Sequence, residues 1–89
     1  LELHQKSYLG LYQSQGYGSI QCIVRKKHLI AVIGGVECSM RYIGKGYFEV
    51  YHPIEDFNLY FHFTVNDGNV ASLELQVVPH TKEIVFTKQ

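Results

Sequence analysis

The side chains in this chain with most chemistry to offer are two thiols, Cys22 and Cys38, and five imidazoles, His4, His28, His52, His62 and His80. A metal centre needs three or four ligands brought together, and these histidines are scattered with no ligand spacing. A thiol nucleophile needs an exposed, electropositive setting and a group that orients its base. His52 falls opposite Cys38 in the strand pairing derived below, but no third group accompanies them. A rim histidine beside Pro53 is the expectation, ahead of a nucleophile or a metal site.

Glu49 and Glu74 flank Tyr60 on one outer face, and two carboxylates are also what a glycosidase needs. Exposed carboxylates beside a tyrosine are more often plain surface. Gly16-Tyr17-Gly18 runs into Ser19-Ile20-Gln21 and so fails the dinucleotide fingerprint, which also wants a helix afterwards. No serine has a lysine three residues later, and neither Lys-Thr-Gly nor Gly-x-Ser-x-Gly occurs. The residues therefore predict no catalytic, cofactor-binding or metal-binding site.

The elements that would position any site read clearly. From Phe57 to Val77 the chain writes a hairpin: Phe57, Leu59, Phe61, Phe63 and Val65 alternate with polar residues, as do Ala71, Leu73, Leu75 and Val77 after the Asn66-Asp67-Gly68-Asn69 turn. A two-residue loop at Asp67-Gly68 would set Phe63 opposite Ser72 and mix the faces. A three-residue loop with Gly68 left-handed pairs Phe63 with Ala71, Phe61 with Leu73 and Leu59 with Leu75, so that every pair agrees in polarity.

The same logic runs along the chain. Residues 1–7 read as a linker or short helical turn, and 8–89 as a single domain. Tyr8 to Gln13 is a first strand, Ser19 to Arg25 a second and Leu29 to Ile33 a third, with Val24 opposite Leu29, Cys22 opposite Ala31 and Ile20 opposite Ile33. The Gly34-Gly35 turn leads to Val36–Ile43, pairing Ile33 with Val36, Ala31 with Cys38 and Leu29 with Met40. Gly44-Lys45-Gly46 leads to Tyr47–His52, setting Tyr42 opposite Phe48 and Met40 opposite Val50. Pro53 stops that strand. A loop from Val78 to Glu83 precedes a last strand with Ile84 and Phe86 inward.

Eight antiparallel strands joined by short turns predict an all-β, up-and-down meander closed, or nearly closed, into a small lipocalin-like barrel. All five phenylalanines, Phe48, Phe57, Phe61, Phe63 and Phe86, point inward in this register, which predicts a side-chain-filled interior ahead of a ligand cavity. The third strand separates Cys22 from Cys38 by two strand spacings, on the order of 9.5 Å, against a disulfide limit of roughly 7 Å. Two free, buried thiols are expected. On the outer face Ile23, Ile30 and Val32 adjoin, either as a docking surface or as ordinary scatter of apolar side chains, and Tyr47, Tyr51 and Tyr60 gather around His62 and Asn58.

The chain has 89 residues and zero net formal charge, with acids and bases scattered along it. That argues against nucleic-acid or anionic-membrane partners, which need clustered Lys and Arg, and no apolar run is long enough to cross a membrane. Met40 is the only methionine and the first residue is Leu1, so a fragment of a longer protein is expected, with any targeting signal outside it.

From Tyr8 to Lys88 the sequence resembles the lipocalin-like β-barrel domain appended to the C-terminus of class C β-lactamase-like and penicillin-binding-protein-like serine hydrolases. The resemblance rests on Tyr8-x-Gly10-x-Tyr12, the Gly16-Tyr17-Gly18 loop, the Asp67-Gly68 turn with Val70-x-x-Leu73, and Ile84-Val85-Phe86-Thr87. Lys26-Lys27-His28 replaces the glycine-containing turn such a domain would carry. The resemblance implies a non-catalytic accessory domain without cofactor, docked on an N-terminal serine-hydrolase domain of the same chain in a bacterial periplasmic or extracellular protein. The alternative is a small binding module for an apolar or peptide-like ligand.

Overall fold

The computed structural model describes residues 4–76 and 83–89; the expectations for Leu1 to Leu3, for Val77 and for the loop from Val78 to Lys82 lie outside them. The strands are β1 (Gly10–Ser14), β2 (Gly18–Arg25), β3 (His28–Ile33), β4 (Val36–Gly44), β5 (Tyr47–His52), β6 (Phe57–Asn66), β7 (Asn69–Gln76) and β8 (Ile84–Lys88). Each is antiparallel to the next. β8 returns to β1 through Tyr12↔Lys88 and Gln13↔Thr87, closing the barrel and removing both edges.

The pairings across the first turns follow the sequence reading. Val24 meets Leu29, Cys22 meets Ala31 and Ile20 meets Ile33. Ile33 meets Val36, Ala31 meets Cys38, Met40 meets Val50 and Tyr42 meets Phe48.

The opening of the chain differs. Tyr8 belongs to a short 3-10 turn, Gln5–Tyr8, and β1 begins only at Gly10. Tyr8 is buried over one mouth of the barrel, its ring edge-on to Phe48 (5.0 Å) and Phe63 (4.9 Å). The Tyr12 hydroxyl donates to the Tyr8 carbonyl at 2.8 Å, so this buried phenol is satisfied. Gly10, at φ 142°, makes the bend between them, and a Cβ there would stand 3.1 Å from Lys88 Cε. Two residues that carry the resemblance, Gly10 and Tyr12, thus do structural work.

The β6–β7 hairpin corrects the expected register. Its loop is the two-residue Asp67-Gly68 turn, with φ 51° and 78°, pairing Asn66↔Asn69 and Val65↔Val70. The register then shifts, leaving Ala71 as an extra residue, and continues as Thr64↔Ser72, Phe63↔Leu73 and Phe61↔Leu75. The bulge restores the agreement of faces that the tight turn alone would break. It also makes Val70 a core residue in place of Ala71, and leaves Val65 exposed.

Phe48, Phe61, Phe63 and Phe86 are buried as expected, with Tyr12, Ile20, Val50 and Leu73. Phe57 is not: it starts β6 beside the loop at 53–56 and is 38% exposed, its ring 5.8 Å from that of His52. Alternation gave it the inward side of its strand, but that end of the strand runs past the enclosed interior.

Candidate functional site

Cys22 and Cys38 are free and buried, on either side of Ala31 in one row across β2, β3 and β4. The Cys38 thiol donates to the Val36 carbonyl at 3.5 Å. Burial pushes the Cys22 thiol from its ordinary 9.0 to about 12, only partly countered by Lys88. Such a thiol is neutral and unreactive at physiological pH. Alkylation at pH 8 should be slow for both cysteines in the native barrel and fast in denaturant. Between about 9 and 12 the unfolded chain releases the Cys22 proton that the folded chain keeps, so urea stability should fall as pH rises through that window. Cys22→Ala should flatten that slope. A slope that Cys22→Ala leaves unchanged would place the effect elsewhere, first on Tyr12, whose phenol burial also shifts upward.

His52 does not join Cys38. The β4–β5 ladder stops at Ser39↔Tyr51, and His52 Nδ1 accepts the Glu55 N–H at 3.1 Å, capping the turn after β5. No group of three or more His, Cys, Asp or Glu side chains stands ready for a metal among the described residues.

The outer aromatic cluster forms in part. Tyr47 opposes His62 across β5 and β6 and stacks on it at 4.2 Å, and His62 Nδ1 lies 3.6 Å from Glu74 Oε1. The Tyr60 hydroxyl donates to Glu49 Oε2 at 3.4 Å, while Arg41 donates to Glu49 Oε1 at 2.6 Å and holds that carboxyl below its usual range. Tyr51 turns aside, donating to Asp56 at 2.6 Å. Glu49 and Glu74 are therefore engaged by different partners and do not converge on one substrate position.

Ile23 and Ile30 are direct cross-strand neighbours, with Val32 the next outward position on β3. All three are half-buried, and Leu11 on β1 extends the patch at 37% exposure. Arg25 of β2 reaches Glu37 of β4 with Nε 2.8 Å from both carboxylate oxygens, so this ion pair spans β3.

Sequence reasoning missed a cavity of about 230 Å³ at the mouth under the 3-10 turn, where Tyr8, Leu29, Met40, Tyr42 and Phe48 meet. Its signal was the alternation of turns in a meander, which brings every second turn to the same end. No helix of the described residues is long and apolar enough to cross a membrane. No family model, curated protein or solved structure matches the chain.

Proposed function

We propose that the barrel is a non-catalytic accessory domain that packs on a β-lactamase-like serine-hydrolase domain through the outer face of β2 and β3. The observation that carries this reading is the Ile23–Ile30 pair, continued by Val32 on β3 and, across Gln21, by Leu11 on β1. The Arg25–Glu37 pair beside it offers a polar rim. The resemblance supplies the occupant. Its residues that build the Tyr8–Tyr12 closure, with the buried phenylalanines, support a scaffold whose interior is occupied by its own core.

The test has two parts. The residues encoded upstream of Leu1 should include a serine-hydrolase domain with Ser-x-x-Lys. That domain, produced separately, should bind the barrel or change its turnover on adding it, and Ile30→Lys should weaken the complex by about tenfold or more, as expected for a central apolar contact. A different upstream sequence, or a hydrolase domain indifferent to the barrel, would refute the proposal.

The mouth cavity favours a second reading, a lipocalin-like module that binds a small apolar or peptide-like ligand.

A further inference from the structure

Successive turns of an up-and-down barrel alternate between its two ends. The turns at 26–27, 44–46 and 67–68 therefore share one mouth, and the 3-10 turn sits over it, with Gln5 Nε2 donating to the Lys27 carbonyl at 2.9 Å. Lys6, Lys26, Lys27 and Lys45 gather there with His28, against Asp67 as the acid of those turns; Glu55 and Asp56 lie in a turn at the opposite end. None of the four lysines has an ion-pair partner among the described residues. Zero net charge conceals this separation, because lysines scattered in sequence come to one end of the barrel.

The backbone adds a second observation. Lys26, Lys27 and Lys45 have φ of 51°, 70° and 54°. Glycine and asparagine adopt this left-handed conformation far more readily than lysine, and strained positions of this kind concentrate at binding sites.

The cavity opens at this same end, and its lining includes Gln5 and His28 but none of the four lysines. Leu29, Met40 and Phe48 form its apolar lining, and Phe48 is edge-on to Tyr8 at 5.0 Å and to Tyr42 at 5.2 Å. At about 230 Å³ it exceeds the roughly 150 Å³ that admits benzene and falls short of the roughly 300 Å³ at which drug-sized pockets begin. One ring fits. Tyr42 Oη accepts the Gly46 N–H at 3.2 Å, which leaves its own proton to donate, and the imidazole of His28, also in the lining, has no hydrogen-bond partner among the described residues.

We propose that this mouth binds a small aryl carboxylate, its ring against Leu29, Met40 and Phe48 and its carboxylate held by the Tyr42 hydroxyl and His28, with the lysines of the same end favouring an acid through their field. The proposal rests on the ligand-binding reading above and gives it a site and a chemical class. The ring supplies apolar burial, and the unpaired cations supply the selection for an acid.

The experiment is a ¹H–¹⁵N titration of the barrel with sodium phenylacetate, with benzyl alcohol and sodium acetate as separate arms. Phenylacetate should shift the amides of Gln5, His28, Leu29, Met40, Tyr42 and Phe48 saturably by about 10 mM, the affinity expected of so small a ligand. Acetate should not, and added salt should weaken the binding. The double variant Lys26→Asn/Lys27→Gly, which keeps the turn, should bind about fivefold more weakly, the scale of an exposed ionic contact. Benzyl alcohol binding as tightly as phenylacetate would overturn the acid selectivity while leaving an apolar-ligand site standing. Acetate producing the same shifts would reduce the mouth to a non-specific anion surface. Failure of both ring compounds to bind would overturn the site and the ligand-binding reading together.

Discussion

Phe63→Ala should cost the barrel about 3–5 kcal/mol, whereas Phe57→Ala, on the same strand and the same side of the alternation, should cost about 1 kcal/mol or less, as for a half-exposed side chain. Phe63 is 3% exposed and its ring meets four others: Tyr8 at 4.9 Å, Phe48 at 5.4 Å, Tyr12 at 5.7 Å and Phe61 at 6.2 Å. Its backbone N–H donates to the Gly46 carbonyl at 3.0 Å, tying the centre of β6 to the turn after β4. Truncation would leave a cavity where β1, β5, β6 and the 3-10 turn converge. A domain of 89 residues has a total stability of only about 4–13 kcal/mol at the usual per-residue scale. The loss is therefore about a quarter of that stability at best and exceeds it at worst. Urea unfolding is the measurement: the midpoint should drop sharply for Phe63→Ala and slightly for Phe57→Ala, with the slope unchanged for both. Equal losses would mean that Phe57 shares the core after all.

That contrast marks where the sequence is legible. A period of two says which side of a strand a residue takes, and it does so correctly for Phe48, Phe61, Phe63 and Phe86. It says nothing about how far the enclosed interior extends along the strand, and so it misplaced Phe57. The same limit explains the β6–β7 hairpin. A pairing of Phe63 with Ala71 and the observed pairing with Leu73 differ by two residues, so both satisfy the polarity test, and only the tight Asp67-Gly68 turn with its bulge separates them. The β2–β3 hairpin has no bulge, and there turn length and polarity agree on one register.

The outer face divides in the same way. The Tyr47–His62 stack and the Ile23–Ile30 pair were readable because their members stand directly opposite on adjacent strands. The Arg25–Glu37 pair spans two strand spacings and depends on how the closed barrel staggers its rows, which no pairwise rule contains. The lysine-rimmed mouth was hidden for a different reason. The run Arg25-Lys26-Lys27 reads from sequence as a solvated turn, and Lys6 and Lys45 lie far from it along the chain. Only the alternation of turns in the meander brings them to one end.

Lys26→Asn/Lys27→Gly should raise stability, by about 1–3 kcal/mol. Both lysines are left-handed, at φ 51° and 70°, as the two central residues of the tight turn between Arg25 and His28. Each L-residue held there costs about 1–2 kcal/mol, and Asn-Gly is the pair such turns prefer. Against that gain, glycine enlarges the freedom of the unfolded chain, a loss of about 0.4–1 kcal/mol. Removing two adjacent like charges helps further, though weakly in water. The urea midpoint should therefore rise while the circular dichroism spectrum keeps its β-sheet form. A midpoint that falls would mean the lysine side chains brace the turn; the Gln5 hydrogen bond to the Lys27 carbonyl is to backbone and survives the substitution. Taken with the titration, the variant separates two explanations for lysines at positions that favour other residues. Stability gained with affinity for phenylacetate lost is the signature of strain retained for a binding site. Stability gained with affinity unchanged would leave the strained turn without a role at the mouth it borders.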